Sequence, residues 1–244
     1  MAHFFLVLSF LFFGREFLPA QRLYLKENLQ RARRGDYLVI ASNKTQTLMH
    51  IYDKQPNVIT IEEIAVPEGR APKRMAWKDW IQQNAPGNTS WVMYEIDLQS
   101  GQMVRYFSFT KNGWYSIPDA DNFLSKLLNL SLTKIPEDER KRAGPKSSSG
   151  PDLRPLWQPR MIVDGRPINK VQFDAWRTRW PRDSSELSGR VIEIYLPQES
   201  QVYPSYFPYW LQINGAIGRA KVRIIDSGRG LHSPKPPLTA IGSS

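Results

Sequence analysis

Apolar and polar residues alternate at a spacing of two through much of this chain, and such alternation builds strands, because successive side chains of an extended backbone point to opposite faces. Tyr37–Ala41 is short, β-branched and aromatic, and Thr45–Tyr52 and Val58–Val66 follow it across the turns Ser42-Asn43-Lys44 and Asp53-Lys54-Gln55-Pro56-Asn57. Connections this short join antiparallel neighbours, so the three form a meander. Trp91–Leu98 places Val92, Tyr94, Ile96 and Leu98 on one face and Glu95 and Asp97 on the other; Gln99-Ser100-Gly101 turns the chain and Met103–Thr110 returns. Arg160–Val163, Ile168–Trp176, Arg190–Leu196, Tyr209–Ile213 and Ala220–Ile225 predict further strands.

Three stretches carry helical spacing instead. Arg22–Arg34 sets Leu25, Leu29 and Ala32 on one side with basic residues on the other, Met75–Gln83 carries Trp77, Trp80 and Ile81, and Asp119–Asn129 carries Phe123, Leu124, Leu127 and Leu128 behind an Asp/Asn-rich start. Pro136–Pro155 holds almost no apolar residue and reads as an exposed loop, and the tail 233–244 reads as unstructured. Neither half of the chain offers enough elements to cover both faces of its own sheet. The fold class expected is therefore α+β: one domain over 21–232, a curved antiparallel β-sheet with two or three short helices covering one face.

Ahead of that domain, Phe4–Phe13 is a ten-residue run in which only Ser9 is polar, ended by Arg15 and Glu16. It is too short to span a bilayer, which takes about 20 residues. Residues 1–20 read as a signal peptide cleaved after Ala20, so the mature product is expected to be periplasmic or secreted.

The chain has 244 residues, no Cys, 33 Lys+Arg against 23 Asp+Glu, and a formal charge of +10. The missing thiols exclude disulfides, thiolate metal sites and a Cys nucleophile, and the charge favours anionic neighbours. Beyond the leader only His50 and His232 remain, and no phosphate loop, GxSxG or HExxH occurs. Glu62 and Glu63 are adjacent on a strand and face opposite ways, so they cannot act as an acid–base pair. No catalytic residue, metal site or cofactor is expected, and His50 reads as a half-buried strand residue.

Aromatic residues are the remaining signal. One group lies between Trp77 and Tyr115; the other is Tyr203-Pro204-Ser205-Tyr206-Phe207-Pro208-Tyr209-Trp210. Large rings suit both plain cores and apolar ligand cavities. Trp91, Tyr94, Phe107, Trp114 and Trp210 are expected to line or border an apolar concavity.

The order of leader, short helix, GDYLVI meander, WKDW helix and hairpin resembles the periplasmic lipoprotein-carrier and lipoprotein-sorting superfamily. The stretches GDYLVIASN, EEIAVP, SWVMYEIDLQSGQ and FPYWLQI look more like an uncharacterised exported bacterial family of similar architecture. The carrier resemblance implies an incomplete barrel whose concave face takes lipid or lipoprotein acyl chains, with basic residues guiding it to an anionic membrane surface. No nucleic-acid partner is expected. The competing expectation is a secreted protein-interaction module using exposed aromatic and basic surface, with a hydrolase third.

Overall fold

A computed structural model of the protein describes residues 21–116, 123–146, 150–215 and 218–241. The proposed leader, 1–20, lies outside these residues. Strand β1 (Arg22–Tyr24) runs directly into helix α1 (Leu25–Leu29). The helix is shorter than its spacing predicts because β1 is recruited as a strand, pairing Leu23 with Leu132 of β8 (Ser131–Lys134). Strands β2 (Tyr37–Ser42), β3 (Thr45–Lys54) and β4 (Val58–Pro67) form the meander, in register Val39↔Leu48 and Leu48↔Ile64. Helix α2 (Trp77–Gln82) precedes the hairpin β5 (Ser90–Asp97) and β6 (Met103–Ser108), and β7 (Gly113–Trp114) and α3 (Phe123–Asn129) follow.

The expected strand Ile168–Trp176 is two strands. Arg166–Ile168 (β10) turns back on Met161–Val163 (β9) as a small hairpin, its turn residues Asp164 and Gly165 both at positive φ, while Phe173–Arg179 (β11) enters the main sheet. Strands β12 (Val191–Pro197), β13 (Trp210–Gly215) and β14 (Gly218–Gly228) complete it.

Twelve strands among the described residues make one antiparallel sheet in the order β1-β8-β11-β12-β13-β14-β2-β3-β4-β5-β6-β7. Because β14 pairs with β2, Ile224 opposite Ile40, both halves of the chain share it. The sheet is curved and open, with β1 and β7 as unpaired ends. Gly228 sits where β14 crosses Tyr37: a Cβ there would lie 2.5 Å from the Tyr37 ring, so only glycine lets the strands meet.

The strand alternation sorts side chains onto two faces. On the inner face Leu38, Ile51, Ile61, Tyr94, Ile194 and Leu211 pack with Leu25 and Leu29 of α1 and Leu127 and Leu128 of α3. On the outer face Val39, Leu48, Ile64 and Trp91 pack under Trp77, Trp80 and Ile81 of α2. Helices thus lie on both faces.

Two expectations are refined. The described part of 136–155 is a largely exposed loop, but a tethered one: Arg140 donates to the Phe173 carbonyl at 2.8 Å, Lys141 to Gln212 at 2.7 Å, and Trp157, just beyond it, packs against the sheet. Its polar composition leaves little to bury, but its cations find partners on β11–β13. The tail is not loose over 233–241 either. Leu238 is 2% exposed and joins Met93 and Phe107 in a third apolar cluster, so one leucine and one isoleucine, Ile241, dock a polar and Pro-rich segment.

Candidate functional site

The five rings expected to share a cavity do not converge. Trp91 and Tyr94 stand three positions apart on β5, and an odd separation sends them to opposite faces. Trp91 lies outside, under the tail, with the Lys235 ammonium 4.4 Å from its ring centroid. Phe107, opposite Met93, is outside too, and Trp114 packs edge-on against it at 5.2 Å. Tyr94 is inside. Trp91, Tyr94 and Phe107 are 3%, 2% and 5% exposed and serve as core. Trp210 is outside, at the other end of the sheet.

Beneath the tail lies a buried polar cluster. Glu62 is sealed from solvent, its Oε1 accepting from the Trp91 indole N–H at 2.7 Å and the Ser233 hydroxyl at 2.5 Å, while His50 Nδ1 lies 2.8 Å from Oε2. A serine nucleophile needs its hydroxyl on the histidine, which takes the proton. Here Ser233 donates to the carboxylate instead, and His50 Nε2 is sealed with no partner among the described residues. The cluster fastens the tail; it does not have the geometry of a hydrolase.

The open site is around Trp210. Trp157 stands edge-on to both Tyr195 and Trp210, centroids 5.1 Å and 5.0 Å away. Beside it is a cavity of about 440 Å³ bordered by Trp157, Arg160, Ile162, Trp210, Arg223 and Ile225. A second hollow, of about 270 Å³, is bordered by Asn43, Glu68, Trp210, Lys221 and Arg223. Trp210 and Arg223 wall both, so the two form one groove across β13, β14 and β2. Register explains the convergence: Arg223 lies opposite both Trp210 and Ala41, and Lys221 opposite Gln212, all on the outer face.

Charge distinguishes this groove. Arg160, Lys221 and Arg223 are exposed, and none pairs with a carboxylate among the described residues; Lys221 instead sits 5.7 Å from the Trp210 ring centroid. The Trp210 indole N–H is buried and has no acceptor among the described residues. By contrast, a cavity of about 450 Å³ beside β8 and β11 contains Lys134 and Arg177, already paired with Asp174 and with Glu139 and Glu193. Behind the groove, burial pushes the Tyr195 hydroxyl up to about 12, with Glu193 adding to the shift. It stays a neutral donor at physiological pH.

Of the groove residues only Trp210 was anticipated. Lys221 and Arg223 were visible as two cations on one face of a predicted strand, with Val222 between them. Trp157 and Arg160 follow the polar loop and had no periodicity to place them. Among the described residues no group of three or more His, Cys, Asp or Glu side chains could hold a metal ion, and no helix is long and apolar enough to cross a membrane.

An open, curved antiparallel sheet clad by short helices, with an aromatic and basic groove on its outer face, defines the class. A family model described as CT021 protein matches residues 47–169, half of the chain, and the chain belongs to that family. The 2.0 Å structure of the hypothetical protein CT021 from Chlamydia trachomatis is similar in fold, with a TM-score of 0.65 and 20% identity over 89% of this chain and 98% of that one. No curated protein matches. Of the two resemblances drawn from the sequence, this membership agrees with the second, a bacterial family other than the known carriers.

Proposed function

We propose that the protein is a non-catalytic binding module that takes an anionic amphiphile, an acidic headgroup bearing an apolar chain, in the outer groove around Trp210. The observation that carries this reading is the set of three cations with no carboxylate partner among the described residues, Arg160, Lys221 and Arg223, converging on a half-buried tryptophan beside a partly apolar cavity. Exposed cations without a carboxylate partner are free to meet a negative charge supplied from outside. The apolar wall of Trp157, Ile162 and Ile225 favours an amphiphile over a purely polar anion. The lipoprotein-carrier likeness points to the same ligand class but puts it on the concave face, where α1 and α3 already pack. The groove is therefore the better home. Export, if the leader is cleaved, brings such a module beside anionic membrane surfaces.

Native mass spectrometry of protein purified without detergent tests this. The expected result is a bound mass matching a fatty acid or acidic phospholipid, lost in a Lys221→Glu/Arg223→Glu variant. Recovery of the same bound mass from that variant would contradict the assignment.

A further inference from the structure

The inner face holds a carboxylate, Glu63, that no cation among the described residues neutralises. Alternation along β4 turns Glu62 outward and Glu63 inward, where Glu63 is half-buried. Its Oε2 accepts the Tyr94 hydroxyl at 3.1 Å. No Lys, Arg or His among the described residues forms an ion pair with it, and its other oxygen has no partner yet is not sealed from solvent. Burial pushes its carboxyl up from the ordinary value, the Tyr94 hydroxyl opposing in part.

A row of three phenol rings leads away from it, beginning with Tyr94. Tyr94 and Tyr106 are cross-strand partners with parallel rings, centroids 6.4 Å apart and planes 7° from parallel. The Tyr115 backbone N–H donates to the Tyr106 carbonyl at 2.9 Å, and its ring meets the Tyr106 ring at 90° and 6.0 Å. The rings climb from the core to the rim, Tyr94 being 2% and Tyr115 43% exposed. At the rim the Lys111 ammonium already rests 5.6 Å from the Tyr115 centroid. Ring faces carry partial negative charge, and a half-buried carboxylate without a cation is costly. Two ring faces at right angles, in a row that begins at a carboxylate without a cation among the described residues, suit a cation whose surface is partly apolar.

We infer that Glu63, Tyr106 and Tyr115, backed by the buried Tyr94, form a binding site for an organic ammonium group, either a free amine or quaternary ammonium or the headgroup of a lipid. The carboxylate supplies the charge partner and the rings replace water around the methyl or methylene surface. The inference does not rest on the Trp210 groove, which lies on the opposite face.

Calorimetric titration with choline, and with its uncharged isostere 3,3-dimethylbutanol, tests the site. Choline is expected to bind at millimolar concentration or tighter, and the isostere about tenfold more weakly or worse. Glu63→Gln should weaken choline about tenfold; Val104→Ala, at an exposed position of β6 outside the site, should not. Lys221→Glu should leave choline binding unchanged. Cosedimentation with phosphatidylcholine vesicles, lost in Glu63→Gln, assigns the lipid headgroup; choline binding without cosedimentation assigns a free ammonium. Equal binding of choline and its isostere, undiminished binding by Glu63→Gln, or binding of neither choline nor vesicles would overturn the proposal.

Discussion

Trp91 and Trp210 began as equivalent expectations, each a large ring on a strand beside helix-covered sheet, and both lie on the outer face. The protein treats them oppositely. Trp91 is covered by the tail, which places Lys235 over its ring and Ser233 on the carboxylate its indole also serves. Trp210 is walled on one side by Trp157 and left open on the other, its N–H and the cations around it without an acceptor or carboxylate partner among the described residues. The strand alone does not decide whether an aromatic ring is core or site. What decides is which distant segment the chain brings over it: residues 231–241 in one case, a single tryptophan in the other.

That contrast is sharpest in stability. Trp91→Ala is expected to cost about 3–5 kcal/mol, the range of large-to-small core changes, whereas Trp210→Ala should cost roughly half that or less because the ring is already part-exposed. Urea unfolding of both variants measures it; equal losses would show that the groove tryptophan is ordinary core. Removing residues 233–244 takes Leu238 off Met93 and Phe107, and burying one leucine is worth about 1.5–3 kcal/mol. The shortened protein should lose about that much and bind a hydrophobic dye. A chain that melts unchanged without its tail would break the comparison from the other side.

Smaller effects follow from the titratable groups. Because burial raises the Glu63 pKa above its ordinary 4.5, its stability contribution is full below that pH and falls as pH rises through the folded value. Glu63→Gln, which can still accept from Tyr94, should therefore raise the melting temperature at pH 7 by a few degrees, about 1 kcal/mol, with the gain shrinking towards pH 4. A variant destabilised at neutral pH would show that Glu63 is already satisfied. The Tyr195 hydroxyl is held from 10.0 up to about 12, so the stability it confers is complete below pH 10 and lost as pH climbs through 12. Ultraviolet titration of wild type against Tyr195→Phe should locate a phenolate step near that upper value.

Much of the sheet was legible because each long strand announces itself locally. The meander Tyr37–Pro67 and the hairpin Ser90–Ser108 follow from alternation and turn residues alone. Strands β1, β7 and β8 were not legible, since two to four residues carry no period and become strands only through their partners. Of the two clusters of rings, the opposite facing of Trp91 and Tyr94 was implicit in their odd spacing. The groove was not, because it brings Ala41 of β2 and the segment Trp157–Ile162 beside Trp210 and Arg223, residues more than 40 positions away in sequence. The tail's polar composition hid its docking, which rests on two apolar side chains and a handful of hydrogen bonds.

The most direct measurement is titration of a fluorescent fatty acid into three proteins: wild type, Lys221→Glu/Arg223→Glu, and Trp91→Phe. The expected result is saturable binding by wild type and Trp91→Phe, weakened about tenfold or more when the two cations are reversed, with the affinity falling as salt is raised. Equal binding by all three, or loss confined to Trp91→Phe, would contradict the placement of the ligand at the Trp210 groove.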